Sequence, residues 1–151
     1  MSKAAKYGAT AARVVLGLEF FVFGLNGFLN FMPKPDHIPD KAAAFAGALF
    51  ATGYFFPLLK GTEVVAGALL LSNRFVPLAL AFLAPIVINI VAFHTVLEPS
   101  GAPIALITLA LEIYLAWSYR AAYRPMLASR VAPSAAADAQ GARLEEARQG
   151  A

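Results

Sequence analysis

The sequence predicts an all-α transmembrane fold, an up-down-up-down four-helix bundle with a short interfacial or re-entrant helix between the first and second spans. Three observations carry that prediction. Of 151 residues, 60% are hydrophobic and only 14% charged, and the mean hydropathy of +0.66 lies outside ordinary soluble composition. Four apolar windows, residues 12–32, 54–72, 75–97 and 102–122, match the roughly 20 residues that cross a hydrocarbon core at about 1.5 Å per residue. Finally, the second and third connections are too short to do anything but turn the chain back on itself.

The first window follows Lys3 and Lys6, in the manner of a signal peptide. Its apolar run is too long for one, it carries Glu19 and Asn26, and no small-x-small cleavage site follows, so the reading is a retained first helix. Next comes Pro33-Lys-Pro-Asp-His-Ile-Pro-Asp40, a Pro- and charge-rich segment that cannot stay helical and must leave the bilayer. Asp40 is placed to N-cap a helix over 41–52 that Gly53 ends, too short to span and expected to pack over the outer mouth of the bundle. Ser72-Asn-Arg74 then joins the second and third spans, and Glu98-Pro-Ser-Gly101 joins the third and fourth. Residues 1–124 make up the bundle. Residues 125–151, rich in Ala, Ser, Pro, Gln and charge, read as a disordered cytoplasmic tail.

The net charge of +3 and pI near 9.4 do not indicate nucleic acid, because the basic residues bracket the apolar windows instead of forming one face with exposed aromatics. With a cytoplasmic N-terminus, Lys3, Lys6, Arg13, Arg74, Arg120, Arg124 and Arg130 lie inside and Lys34, Lys41 and Lys60 outside, seven against three. The positive-inside rule therefore orients both termini toward the cytoplasm. Tyr114, Trp117, Tyr119 and Tyr123 fit an aromatic belt at the inner interface. There is no cysteine, which removes disulfides, thiolate metal sites and thiol relays.

Ionisable groups inside a bilayer cost at least a few kcal/mol and so face the protein interior. Glu19, Asn26 and Asn30 lie within about 20° of one stripe on the first helix, and Thr108, Glu112 and Tyr119 share a stripe on the fourth. Counting from the helix ends puts Glu63 and Glu112 near the midplane, Glu19 in the inner half, and Asn26, Asn89 and His94 in the outer half. The expectation is a polar cavity open outward and floored by carboxylates, with Pro85 kinking the third helix to make room. Two or three carboxylates in one low-dielectric space cannot all be charged, so Glu19, Glu63 and Glu112 are candidates for proton handling. Lys60, three residues before Glu63, is positioned to pair with it. Asn26, Asn89, His94, Glu63 and Glu112 are the candidate ligand-binding residues; the competing reading makes the amides interhelical glue and leaves His37 merely solvated. Gly17, Gly24, Gly61 and Gly67 read as positions of close helix approach. A metal could draw on Glu19, Glu63, Glu112 and His94, but the Glu-x-x-His spacing of di-iron bundles is absent, and no metal site is predicted.

Five stretches in register resemble the DoxX family of small bacterial membrane proteins over about residues 11–122. They are Gly17-Leu-Glu-Phe-Phe-Val-Phe-Gly-Leu-Asn-Gly-Phe, Ala51-Thr-Gly-Tyr-Phe-Phe-Pro-Leu-Leu-Lys-Gly-Thr-Glu-Val-Val-Ala-Gly, Arg74-Phe-Val-Pro-Leu-Ala-Leu, Pro85-Ile-Val-Ile-Asn-Ile and Leu111-Glu-Ile-Tyr-Leu-Ala-Trp. The resemblance implies a four-helix protein of the bacterial inner membrane. Some members are associated with quinone-linked oxidation of thiosulfate or sulfide, or with oxidoreductase and oxidative-stress assemblies. The family's polar positions fall on Glu19, Asn26, Glu63, Asn89 and Glu112.

The function expected on this basis is that of an accessory subunit of a membrane redox system rather than an autonomous enzyme. It would have no cofactor of its own, bind a quinone or similar lipophilic ligand, and work beside a membrane or cytoplasmic oxidoreductase partner, with oligomerisation left open. The alternatives are a proton or solute transporter component and a scaffold that recruits an enzyme to the membrane.

Overall fold

The computed structural model describes residues 3–33, 37–131 and 148, and among them the chain is all-helical. Six α-helices occur: α1 (Lys3–Leu29), α2 (Asp40–Ala51), α3 (Phe55–Leu71), α4 (Val76–Val96), α5 (Ala102–Ser118) and the single turn α6 (Arg120–Tyr123), with a 3-10 turn at Pro99–Gly101. Three are long and apolar enough to cross a membrane, over Tyr7–Leu29, Val76–Val96 and Pro99–Ser118. The number rises to four if α2 and α3, which bend by 93° at their break, count as one span. This is consistent with a multi-pass membrane protein. Lys34, Pro35 and Asp36, and the expected tail beyond Val131 apart from Arg148, lie outside the described residues.

Local chemistry explains where each helix stops. Helix α1 ends three residues before the expected boundary because Asn30 turns left-handed, at φ 49°, and the Asn26 side chain accepts the Met32 amide at 2.8 Å. Pro39, at φ −53° and ψ 139°, occupies the cap position of α2. Asp40, expected there, is instead the first helical residue and makes no side-chain cap. Its carboxylate still lies at the positive end of the helix. Gly53 takes φ 74°, a conformation open to glycine, and closes α2 as predicted. The Thr52 hydroxyl donates to Leu49 O at 2.7 Å and accepts the Phe55 amide at 3.2 Å, so one side chain ends α2 and opens α3.

The α3–α4 turn is a Schellman motif. Asn73 is left-handed at φ 56°, its amide donates to Leu70 O at 3.1 Å, and the Arg74 amide donates to Leu69 O at 3.0 Å. Arg13, buried on α1, completes the closure by donating to the carbonyls of Leu70 and Leu71. Helix α4 remains a single helix through Pro85. Helix α5 stops at Ser118, short of the expected residue 122, because Tyr119 leaves helical geometry at φ −100° and ψ 13°.

Helix α1 packs chiefly on α3 and also on α5, while α4 packs on α3 and α5. Ala9, Ala12, Leu16 and Phe20, spaced three and four apart, form the buried stripe of α1 and meet Leu70, Leu83, Val87 and Leu115. Large apolar side chains such as Leu18, Leu58, Phe82, Ile88, Ile107 and Ile113 point outward, the pattern of a lipid-facing surface.

The α1–α3 contact is made through glycine. A Cβ on Gly67 would lie 2.5 Å from the Phe21 nitrogen and 2.9 Å from Gly17 O; one on Gly24 would lie 2.9 Å from the Val64 nitrogen. Gly17, Gly24 and Gly67 thus act as expected. Gly61 does not: nothing lies within 4 Å of a Cβ there, because it faces outward into an apolar groove with Pro57, Leu58 and Val65.

Residues 121–131 and 148 belong to a second compact unit. Within it the Leu127 amide donates to Tyr123 O at 3.0 Å, and Met126, Leu127 and Val131 are exposed.

Candidate functional site

Polar side chains from four helices gather where the C-terminal halves of α1 and α4 meet the N-terminal halves of α3 and α5. They line a cavity of about 330 Å³ that includes Glu19 of α1, Lys60 and Glu63 of α3, His94 of α4 and Thr108 of α5. Glu63 is 3% exposed, and its carboxylate accepts from Lys60 Nζ at 2.8 Å, the pairing that three-residue spacing predicted. The lysine stem reaches this position over Gly27, where even a methyl group would collide with Lys60 Cγ and Cδ. Glu19 accepts a 2.5 Å hydrogen bond from the buried Thr108 hydroxyl, tying α1 to α5.

A second cavity, a groove of about 320 Å³, lies beside the first. Its walls are Phe45, Ala46 and Leu49 of α2, Phe55, Phe56 and Leu59 of α3, and Pro85, Ile86, Asn89 and Phe93 of α4. Helix α2 forms its roof, held by Phe45 against Phe93 at 5.9 Å and Phe50 against Phe56 at 5.7 Å between ring centroids. Lys60, Ile90 and His94 line both cavities. The two cavities, both mostly apolar in lining, therefore meet across two ionisable side chains.

His94 Nδ1 lies 2.8 Å from Glu98 Oε2, and Ser100 Oγ donates to Glu98 Oε1. The Gly101 amide donates to Glu98 Oε2 at 3.2 Å. The Ser100 hydroxyl above all, then His94 and the Gly101 amide, hold the Glu98 carboxyl below its ordinary 4.5. A lowered value stabilises the turn above pH 4.5, and that contribution fades as pH falls through the folded-state value. The protection of the Gly101 amide, its exchange rate by NMR relative to the intrinsic rate at the same pH, should fall on acidification below pH 4.5, and Glu98→Gln should abolish that fall.

The structure thus brings Glu19, Glu63 and His94 to one cavity, and Asn89 to the groove that shares His94. Asn26 is spent on ending α1, and Asn30 is exposed beyond it. Glu112, 5% exposed, lines neither cavity, and its two carboxylate oxygens have no hydrogen-bond partner. His37 is exposed in the first connection. Among the described residues no three metal-ligating side chains converge.

Sequence reasoning missed the groove, Arg13 as a cap and Glu98 as the partner of His94. The last was readable, since Glu98 follows His94 by four residues. The groove was not, because the apolar sequence of α2 does not say which of its residues face α3 and α4. No established protein-family profile, functionally characterised protein or solved structure matches the chain.

Proposed function

We propose that this chain is a DoxX-like four-helix bundle of the bacterial inner membrane, both termini cytoplasmic, that holds a quinone or similarly lipophilic ring compound in the groove beneath α2. In this reading α3 is also a span, the second along the chain, its 17 residues covering about 26 Å of a core about 30 Å thick. Helix α2 then lies at the outer interface.

The observation that carries the reading is the junction of the two cavities. A ring with an apolar tail suits a wall of Phe45, Leu49, Phe55, Phe56 and Phe93, while its carbonyl oxygens need donors, which Lys60, Asn89 and His94 supply at the groove's polar edge. Binding sites for lipophilic ligands commonly combine a mostly apolar lining with a few convergent polar groups. The chain carries no cysteine, and electrons reach the ligand from an oxidoreductase partner, which makes this protein an accessory to redox chemistry.

Photolabelling in native membranes with an azido-quinone tests the site. Label is expected on peptides of α2 and α4 around Phe45 and Phe93, and Ile90→Trp, which fills the junction, should reduce it at least about tenfold, the effect of losing about 1.4 kcal/mol of binding. Labelling spread evenly over the lipid-facing residues, unchanged by Ile90→Trp, would count against the groove.

A further inference from the structure

The groove makes no use of Glu112, although a buried carboxylate with no hydrogen-bond partner is a costly group to keep inside a bundle. Such a group is tolerated as the neutral acid or while a cation visits it. Thr108 precedes it by four residues on α5, one turn or about 6 Å along the axis. The Thr108 hydroxyl has two acceptors within reach, Glu19 Oε1 at 2.5 Å and Ile104 O at 3.0 Å, so it can turn from one to the other and expose a lone pair.

We propose that Glu112 is a proton-loading site at the blind end of a path that enters at the α4–α5 turn through Glu98 and His94, crosses the adjoining cavity past the Lys60–Glu63 pair and Glu19, and reaches α5 at Thr108. Within the pairs Glu98–His94, Lys60–Glu63 and Thr108–Glu19 a proton moves from an N–H or O–H donor to an acceptor lone pair, water carries it between the pairs and over the turn that separates Thr108 from Glu112, and no electrons are transferred. The net event is uptake of one proton from water by the Glu112 carboxylate to give the neutral acid. The ionisable groups on the elements packed against α5 fit this assignment. Helix α1 contributes Arg13 and Glu19, α4 contributes His94, and the turn contributes Glu98; Arg13 is committed to the carbonyls of Leu70 and Leu71.

The path does not depend on what fills the groove. Loss of quinone labelling would leave it standing, and its own failure would leave the groove reading intact.

Infrared spectroscopy of the full-length protein in lipid tests it. Wild-type protein is expected to show a protonated-carboxyl C=O band that Glu112→Gln removes and that shifts in D2O. Deuterium exchange of that band should slow by about tenfold or more in Thr108→Val, the factor given by about 1.4 kcal/mol on the barrier. Thr108→Ser should restore the wild-type rate. His94→Gln, at the entrance, should slow exchange as well and decides the matter if Thr108→Val does not fold. A band absent at every pH, a band that survives Glu112→Gln, or exchange equally fast when Thr108 and His94 are replaced would overturn the proposal.

Discussion

Gly67→Ile is expected to separate α1 from α3 and cost the bundle about 3 kcal/mol or more, the upper range for overpacking a well-packed interface. A Cβ at this position already falls 2.5 Å from the Phe21 nitrogen and 2.9 Å from Gly17 O. Both are backbone atoms, so no side-chain rotation relieves the collision and the helix axes must move apart. That movement would also carry Glu19 of α1 away from the cavity wall it shares with Lys60 and Glu63 of α3. The loss is readable as a lower denaturation midpoint when folded protein in mild detergent is titrated with SDS. Gly61→Ala supplies the contrast: nothing lies within 4 Å of its Cβ, and the midpoint should change by less than about 0.5 kcal/mol equivalent, as for a surface substitution.

Lys60→Met should have the second large effect. It leaves the Glu63 carboxylate, 4% exposed, without the ammonium now 2.8 Å away. Breaking a buried pair from one side costs about 3–5 kcal/mol, and because the Lys60 side chain is 20% exposed the lower end of that range is expected. The double variant Lys60→Met/Glu63→Leu removes both charges and should recover most of the stability, since replacing a whole buried pair by apolar groups is often neutral. The same SDS titration separates the cases. Equal midpoints for the single and double variants would mean that the lysine acts through its packed stem over Gly27, not through its charge.

The helical composition was legible because hydropathy and turn chemistry act locally. Asn73 and Gly53 end their helices through their own backbone preferences, and Glu63 finds Lys60 one turn away on the same helix. The stripe that joins Glu19 to Thr108's helix was legible as a periodicity, although the hydrogen bond itself spans 89 residues. Periodicity does not tell that Asn26, which shares the stripe with Glu19, sits in the last turn of α1 and accepts the Met32 amide just beyond it. It misled at Gly61: small residues permit close approach only on the face that meets a neighbour, and one helix alone does not reveal that face. The groove beneath α2, a helix the sequence did predict, escaped for a related reason. The helix's bend of 93° to α3 is set at Thr52 and Gly53, and only that angle turns Phe45 and Leu49 into the roof of a groove.

That groove is the centre of the account, and native mass spectrometry of the protein released from its own membranes tests it most directly. The prediction is a bound species with the mass of a quinone, retained by wild-type protein and lost from Ile90→Trp, whose side chain fills the junction between the two cavities. Wild-type protein that carries only phospholipid, in the same amount as Ile90→Trp, would contradict it.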